Sequence, residues 1–414
     1  MLKRQTAALF AHALVIAASV YLLVLCGLYT AGLPITNTII ALTDAAIVLA
    51  ALALGAGLAA RWLFLPILGI ALSFAFLALF SQNIDFKAVR DVVLIVAFLV
   101  LGLAASEWRW ARRTFFVASA LVMTFAVLEL AFPALYGDVF NVLQFYIMRG
   151  ELSPAVLEYT DNSLFISGMR NEGRFMLPFL GPHRVSSIFL EPVSMGNFGA
   201  IAIAWALSQA RGQWRTAFAA GAVGVAAIVM ADARFAAMAS GLFLVARLTP
   251  IAWMRLILAP APFVAIAMLL VLGATIPRVG DDLPTRLAQS GNTIAQLDTA
   301  ALFGLTVGRA TTLDAGYAYA LTAFGLPLCL AMWAAFVWLP TPGAHSARFK
   351  FLLGLYICAL LCVSGSSLFA LKTAALAWFM LGSAIAQDYA EARRIPQGAT
   401  RRSVTAPKAV AVHA

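Results

Sequence analysis

Charge is what this chain has least of. Only 11% of its 414 residues are Asp, Glu, Lys or Arg, and 63% are hydrophobic. A soluble protein carries about 25% charged residues, so the shortage excludes a soluble globule. The strict apolar–polar alternation of a membrane β-barrel is also missing. Cysteine is scarce: Cys26, Cys329, Cys358 and Cys362 all fall inside apolar runs, without a CxxC or a nearby His. They read as small buried residues rather than metal ligands or disulfide partners. Aromatic–basic patches are absent, so the net charge of +10 points to membrane orientation, and no nucleic-acid partner is expected. There is no internal repeat, and no helix pair carries the matched interruptions of an inverted-repeat transporter.

What the chain does have is long apolar runs. Crossing a hydrocarbon core of about 30 Å takes about 20 residues, and such segments must be helical to pair their own backbone amides. The pattern predicts an all-α polytopic membrane protein with about twelve spans: 7–29, 36–60, 62–80, 89–105, 114–134, 193–209, 216–231, 235–247, 256–276, 316–339, 351–367 and 369–386. The first run follows Lys3-Arg4 and exceeds the apolar core of a cleaved signal, about 7–15 residues long, so it reads as a retained helix. Residues 1–390 form the membrane domain, and 391–414, with Arg393, Arg394, Arg401, Arg402 and Lys408, form a basic, disordered cytoplasmic tail.

Arg and Lys concentrate in alternate links. One set holds Arg61, Arg109, Arg112, Arg113, Arg211, Arg215, Arg247, Arg255, Arg348 and Lys350; the other short links hold Lys87, Arg90 and Arg234. By the positive-inside rule both termini are cytoplasmic, and two long loops, about 136–192 and 277–315, lie on the outer face. Residues 138–148 are apolar enough for an interfacial helix. Phe140, Phe145, Tyr146, Tyr159, Phe165, Phe175 and Phe179 either anchor the first loop to headgroups or stack on sugar rings.

Ionisable residues inside spans cost roughly 2.5–3.5 kcal/mol each at the bilayer centre and mark function by default. Here Asp44, Glu129, Arg234 and Lys372 all lie toward the outer leaflet, whereas a transporter places its polar site near the middle. Arg234, in Ala-Asp232-Ala-Arg234, either pairs locally or grips a phosphate with its planar fork. Glu191-Pro192 opens a helix, so Glu191 is either a helix cap or a general base, and Asp314 carries the same two readings. The pair Asp281-Asp282 lacks further ligands and reads as a solvated turn, so no metal is expected.

Three segments together resemble the O-antigen polymerase and ligase family of membrane glycosyltransferases. They are Arg184-Val-Ser-Ser-Ile-Phe-Leu-Glu191-Pro192-Val-Ser-Met-Gly196, Asp232-Ala-Arg234-Phe-Ala-Ala-Met-Ala-Ser-Gly241, and Asp314-Ala-Gly-Tyr317 with its downstream Phe324-Gly325. The resemblance covers about residues 30–385. It implies a GT-C-like architecture and transfer of a glycan from undecaprenyl diphosphate to a sugar hydroxyl, without cofactor, nucleotide sugar or metal. It implies that Arg184 and Arg234 hold the diphosphate, with Arg90 and Arg309 as further candidate cations, and leaves the base open between Glu191 and Asp314. Ligases of the family show a His at the third motif; this chain has Asp314, which favours a polymerase of exopolysaccharide or O-antigen repeats over the ligase. Implied partners are lipid-linked oligosaccharide, membrane lipid and a chain-length regulator. The rival of another class is a lipid-linked oligosaccharide flippase or solute transporter.

Overall fold

The computed structural model describes residues 2–81, 85–104, 108–164, 168, 173–276, 282–305, 315–365 and 367–394, and these are all-helical, with no strand. Four long helices come first: α1 (Leu2–Thr30), α2 (Asn37–Ser81), α3 (Phe86–Ala104) and α4 (Trp108–Ala131). The first long loop carries the short α5 (Pro133–Val139) and α6 (Val142–Met148). The bundle resumes with α7 (Pro192–Ser208), α8 (Trp214–Met230), α9 (Arg234–Ala246), α10 (Ile251–Leu258) and α11 (Ala261–Thr275). After α12 (Leu283–Ala295) and α13 (Thr299–Leu302), it closes with α14 (Gly316–Trp338), α15 (Ala344–Leu360) and α16 (Leu371–Arg394).

Apolar helices on this scale suggest a multi-pass membrane protein. By length and composition, four described segments can cross a bilayer: Thr6–Thr30, Asn37–Gly57, Trp110–Ala131 and Gly316–Trp338. The pair α10–α11 makes a fifth, bent by 47°. Pro260 causes this break in the expected 256–276 span, because proline has no amide for the helix ladder. Phe64–Phe80, α7, α8 and α9 are apolar but shorter, so the described residues reproduce only part of the expected twelve.

The helical run of α2 passes through the expected link at Arg61 without a break. It cannot be straight. A straight helix of 45 residues would run about 67 Å, yet Asp44 near its start pairs with Arg90, nine residues past its end. The run therefore bends sharply on itself, between the apolar arms Asn37–Gly57 and Phe64–Phe80. The expected second loop, 277–315, is not simply a loop: α12 lies within it, its Gly291 pressed against the α11 backbone at Leu269. Asp282 caps α12, accepting the Thr285 amide at 3.0 Å. Likewise 138–148 is no flat interfacial helix. Val142, Leu143, Phe145 and Tyr146 of α6 are buried, and Phe145 meets the Tyr29 ring of α1 edge-on. The basic tail beyond 394 lies outside the described residues.

The centre of the bundle is α7 with α16, whose middle turns are buried on nearly every side (Phe198 and Trp205; Phe379, Met380 and Leu381). Small residues let backbones approach here, as in other membrane bundles. A Cβ on Gly102 of α3 would lie 2.2 Å from the Phe379 carbonyl oxygen of α16, and one on Gly382 would lie 2.1 Å from that of Leu99. Polar contacts separate to the two ends. Thr30, Arg90, Glu129, Glu191, Tyr319 and Lys372 gather at the end that carries the first long loop, the loop end. His12 with Thr114, His345 with Ser208, and Ser346 with Asp388 occupy the other.

Candidate functional site at the loop end

The turn between α8 and α9 is Ala231-Asp232-Ala233. Asp232 is fully buried at a left-handed φ of 47° and accepts the Met176 amide at 2.7 Å. The last carbonyls of a helix lack intrahelical donors, and here arginines supply them. Arg174 donates to the carbonyls of Val229 (2.6 Å) and Met230 (2.9 Å), and also to that of His183 (2.9 Å). Arg184, buried, donates through Nε to the Ala231 carbonyl at 2.9 Å. The segment 174–185 is thus stitched onto the end of α8. Arg234 begins α9, is exposed, and holds its guanidinium 4.9 Å from the centre of the Phe175 ring. Two of the four arginines singled out in the sequence therefore meet at one turn. Arg184 has part of its fork fixed on the backbone, and Arg234 faces outward.

Arg184 leads into a rigid segment. Glu129 of α4 is fully buried and accepts the backbone amides of Ser186 (3.0 Å) and Ser187 (2.6 Å). Its Oε1 also hydrogen-bonds with His183 Nε2 at 2.8 Å. Ser187 and Leu190 both sit at positive φ, 53° and 61°, unusual for residues with a side chain. Ser187 is held there by Glu129 and by the Tyr136 hydroxyl, which donates to the Ser187 carbonyl at 2.9 Å.

Glu191 ends that segment. Its side chain does not cap its own helix backbone. Instead it accepts the Tyr146 hydroxyl at 2.5 Å, the Ser194 hydroxyl at 2.9 Å and the Lys372 ammonium at 3.0 Å. Lys372 also donates to the Phe189 carbonyl at 2.8 Å. Burial alone would raise the Glu191 pKa; Lys372 and the hydrogen bonds from Tyr146, Lys372 and Ser194 outweigh it and hold the carboxyl down at about 2. Arg149 stands beside this cluster, paired with Glu151 at 2.6 Å and 5.0 Å from the Tyr146 ring centre. A carboxylate so stabilised has little affinity for a proton, which weakens its reading as a general base.

Arg90 occupies a different corner, where α2, α3 and α14 meet. It pairs with Asp44 and, at 2.6 Å, with Asp91. Asp91 in turn accepts the Tyr319 hydroxyl at 2.8 Å, and Lys87 donates to that hydroxyl at 2.8 Å. The charge of Arg90 is thus balanced within the protein. Arg309 and Asp314 lie outside the described residues. Tyr317, from the third motif, is buried and donates to the Cys358 carbonyl at 3.1 Å.

Sequence reasoning missed Arg174, which looked like any loop arginine, and missed the pairing of Glu129 with His183. It also left Lys372 without its partner Glu191, since nothing local joins residues so far apart in the chain. Among the described residues, no three His, Cys, Asp or Glu side chains group to hold a metal ion. No family model, curated protein or solved structure matches this chain.

Proposed function

We propose that this protein is a glycosyltransferase that joins undecaprenyl-diphosphate-linked oligosaccharide repeats into exopolysaccharide or O-antigen, at the outer face of a bacterial inner membrane. In this reading both termini are cytoplasmic and the loop end faces outward. The observation that carries it is the meeting of Arg184 and Arg234 at the α8–α9 turn, beside the loop, with the Arg234 fork turned outward. A diphosphate leaving group gathers negative charge on its bridging oxygen as the glycosidic bond breaks, and guanidinium groups already in place stabilise that charge. Arg234 makes the direct contact, and Arg184, braced on Ala231, fixes its side of the turn. Phe175 and its exposed neighbour Phe179 present faces on which sugar rings stack. Arg90 serves as a structural cation in this reading, and Glu191 positions the segment that carries Arg184. Arg309 completes the candidate set as an additional cation, and Asp314 as the acid that opens the third motif.

The test is polymer formation from purified lipid-linked repeat by the full-length protein in proteoliposomes. Polymer from the wild type, and none from Arg234→Ala protein that still inserts and accumulates, is the expected result. Polymer of normal length and rate from Arg184→Ala and Arg234→Ala proteins overturns the reading.

A further inference from the structure

We infer that His183 is the proton acceptor at this mouth, set in its working tautomer by the buried carboxylate of Glu129. The inference rests on the transfer reaction proposed above and names a group that reaction needs.

Glu129 takes two backbone amides, from Ser186 and Ser187, as well as His183 Nε2. An amide can only donate, so two donors are fixed on this carboxyl. In the proposed arrangement the carboxyl is the ionised, acceptor-only form, and Nε2 carries its hydrogen and donates it to Oε1. That fixes the tautomer and leaves the Nδ1 lone pair as the ring's basic site, the logic by which a buried carboxylate orients a catalytic imidazole. The ring is not sealed in: the His183 side chain keeps 16% of its exposure while Glu129 keeps none. Its main chain is held as firmly as its ring, because Arg174 binds the His183 carbonyl. The next residue is Arg184, one of the two arginines of the proposed diphosphate site. A purely structural tie between α4 and the loop needs only the two amide bonds that Glu129 already accepts; the imidazole adds a titratable group at the edge of solvent.

In the transfer, the acceptor sugar's hydroxyl gives its proton to Nδ1 as its oxygen bonds to the anomeric carbon of the donor. The anomeric carbon–oxygen bond to the diphosphate breaks, and the electron pair leaves with the lipid diphosphate. The imidazolium, stabilised by Glu129, then returns the proton to water. Nothing further is consumed.

Two measurements on the full-length protein in proteoliposomes test this. The first needs no substrate. Nitrogen-15 NMR of imidazole-labelled protein, with the His183 signal assigned by its loss in His183→Gln, should show hydrogen on Nε2 and a bare Nδ1 in the neutral ring. A neutral ring with its hydrogen on Nδ1 overturns the inference. The second is turnover of lipid-linked repeat. His183→Ala should lose roughly 10²–10³-fold in kcat with KM little changed, and added imidazole should restore part of it. Glu129→Gln keeps one acceptor oxygen, which the Ser186 and Ser187 amides engage, so its NH2 faces the ring; the variant should lose activity and shift the ring's tautomer. His183→Ala turning over at the wild-type rate overturns the inference and leaves the transfer reading standing. A wild-type protein that forms no polymer overturns both.

Discussion

Two arginine corners at the loop end contain similar residues and work differently. At the junction of α2, α3 and α14, Arg90 is bound by Asp44 and Asp91, and Asp91 is bound in turn by Tyr319. At the α8–α9 turn, Arg234 meets an aromatic face, and its neighbour Arg184 rests on a backbone carbonyl. The first corner neutralises its guanidinium inside the protein. At the second the Arg234 guanidinium is exposed against an aromatic face, and the carboxylate of the same turn, Asp232, is buried and accepts the Met176 amide. The presence of an arginine in an apolar chain therefore says less about ligand binding than what its fork already holds.

The sharpest way to break this contrast is to remove each cation in turn. Arg234→Ala should reduce transfer by roughly 10²–10³-fold, as loss of a charge-stabilising donor does elsewhere, while thermal stability in detergent stays unchanged. Arg234→Lys should recover little, because lysine lacks the planar fork. Arg90→Ala should do the reverse. It leaves Asp44 and Asp91 without their cation and should destabilise the fold by roughly 3 kcal/mol, the low end for a buried pair, because Arg90 keeps 26% of its side-chain exposure. A stable, inactive Arg90→Ala protein would place Arg90 in the binding site and erase the distinction.

A subtler comparison lies between the two carboxylates of the same segment. Glu191 has its carboxyl held at about 2 by Lys372 and its hydrogen-bond donors against the opposing effect of burial. A depressed carboxyl contributes its full stability above its ordinary value of 4.5, and that contribution is lost progressively as pH falls from there through about 2. Above about pH 6, Glu191 therefore contributes no pH dependence to stability. Turnover per folded molecule should be kept in Glu191→Gln and lost in His183→Ala. Loss in Glu191→Gln alone returns the role of base to Glu191. The smallest expected effect is that of Phe175→Ala. It removes a cation–π contact worth about 0.5–1 kcal/mol at an exposed site, so KM should rise only two- to five-fold, and a far larger loss would mean that the ring touches the sugar.

Much of this was legible in the sequence where a single local signal sufficed. The spans of α1, α4 and α14 follow from unbroken apolar runs, and Arg184, Glu191 and Arg234 stand out because charge is so rare around them. Harder to read were features that depend on distant partners. The amphipathic α12 has one polar side, with Gln289 and Asn292, that dilutes its hydropathy, so it passed for loop. Pro260 lay in plain sight, but nothing nearby said whether it would kink a span or divide it. The bend of α2 is revealed only by Arg90 reaching back to Asp44. Arg174 acquires its role from carbonyls on a helix far along the chain, and no spacing rule encodes that.

The glycine crossing of α3 and α16 has a mechanical consequence. With backbone against backbone at Gly102 and Gly382, no side chain remains between the two helices to flex or repack. They behave as a single strut. Arg90 is the fifth residue of one and Lys372 the second of the other, so the two ion-paired corners of the loop end translate together or not at all. The segment flanked by Gly173 and Gly181, both at φ 79°, meets Arg234 through Phe175 and is not tied into that strut.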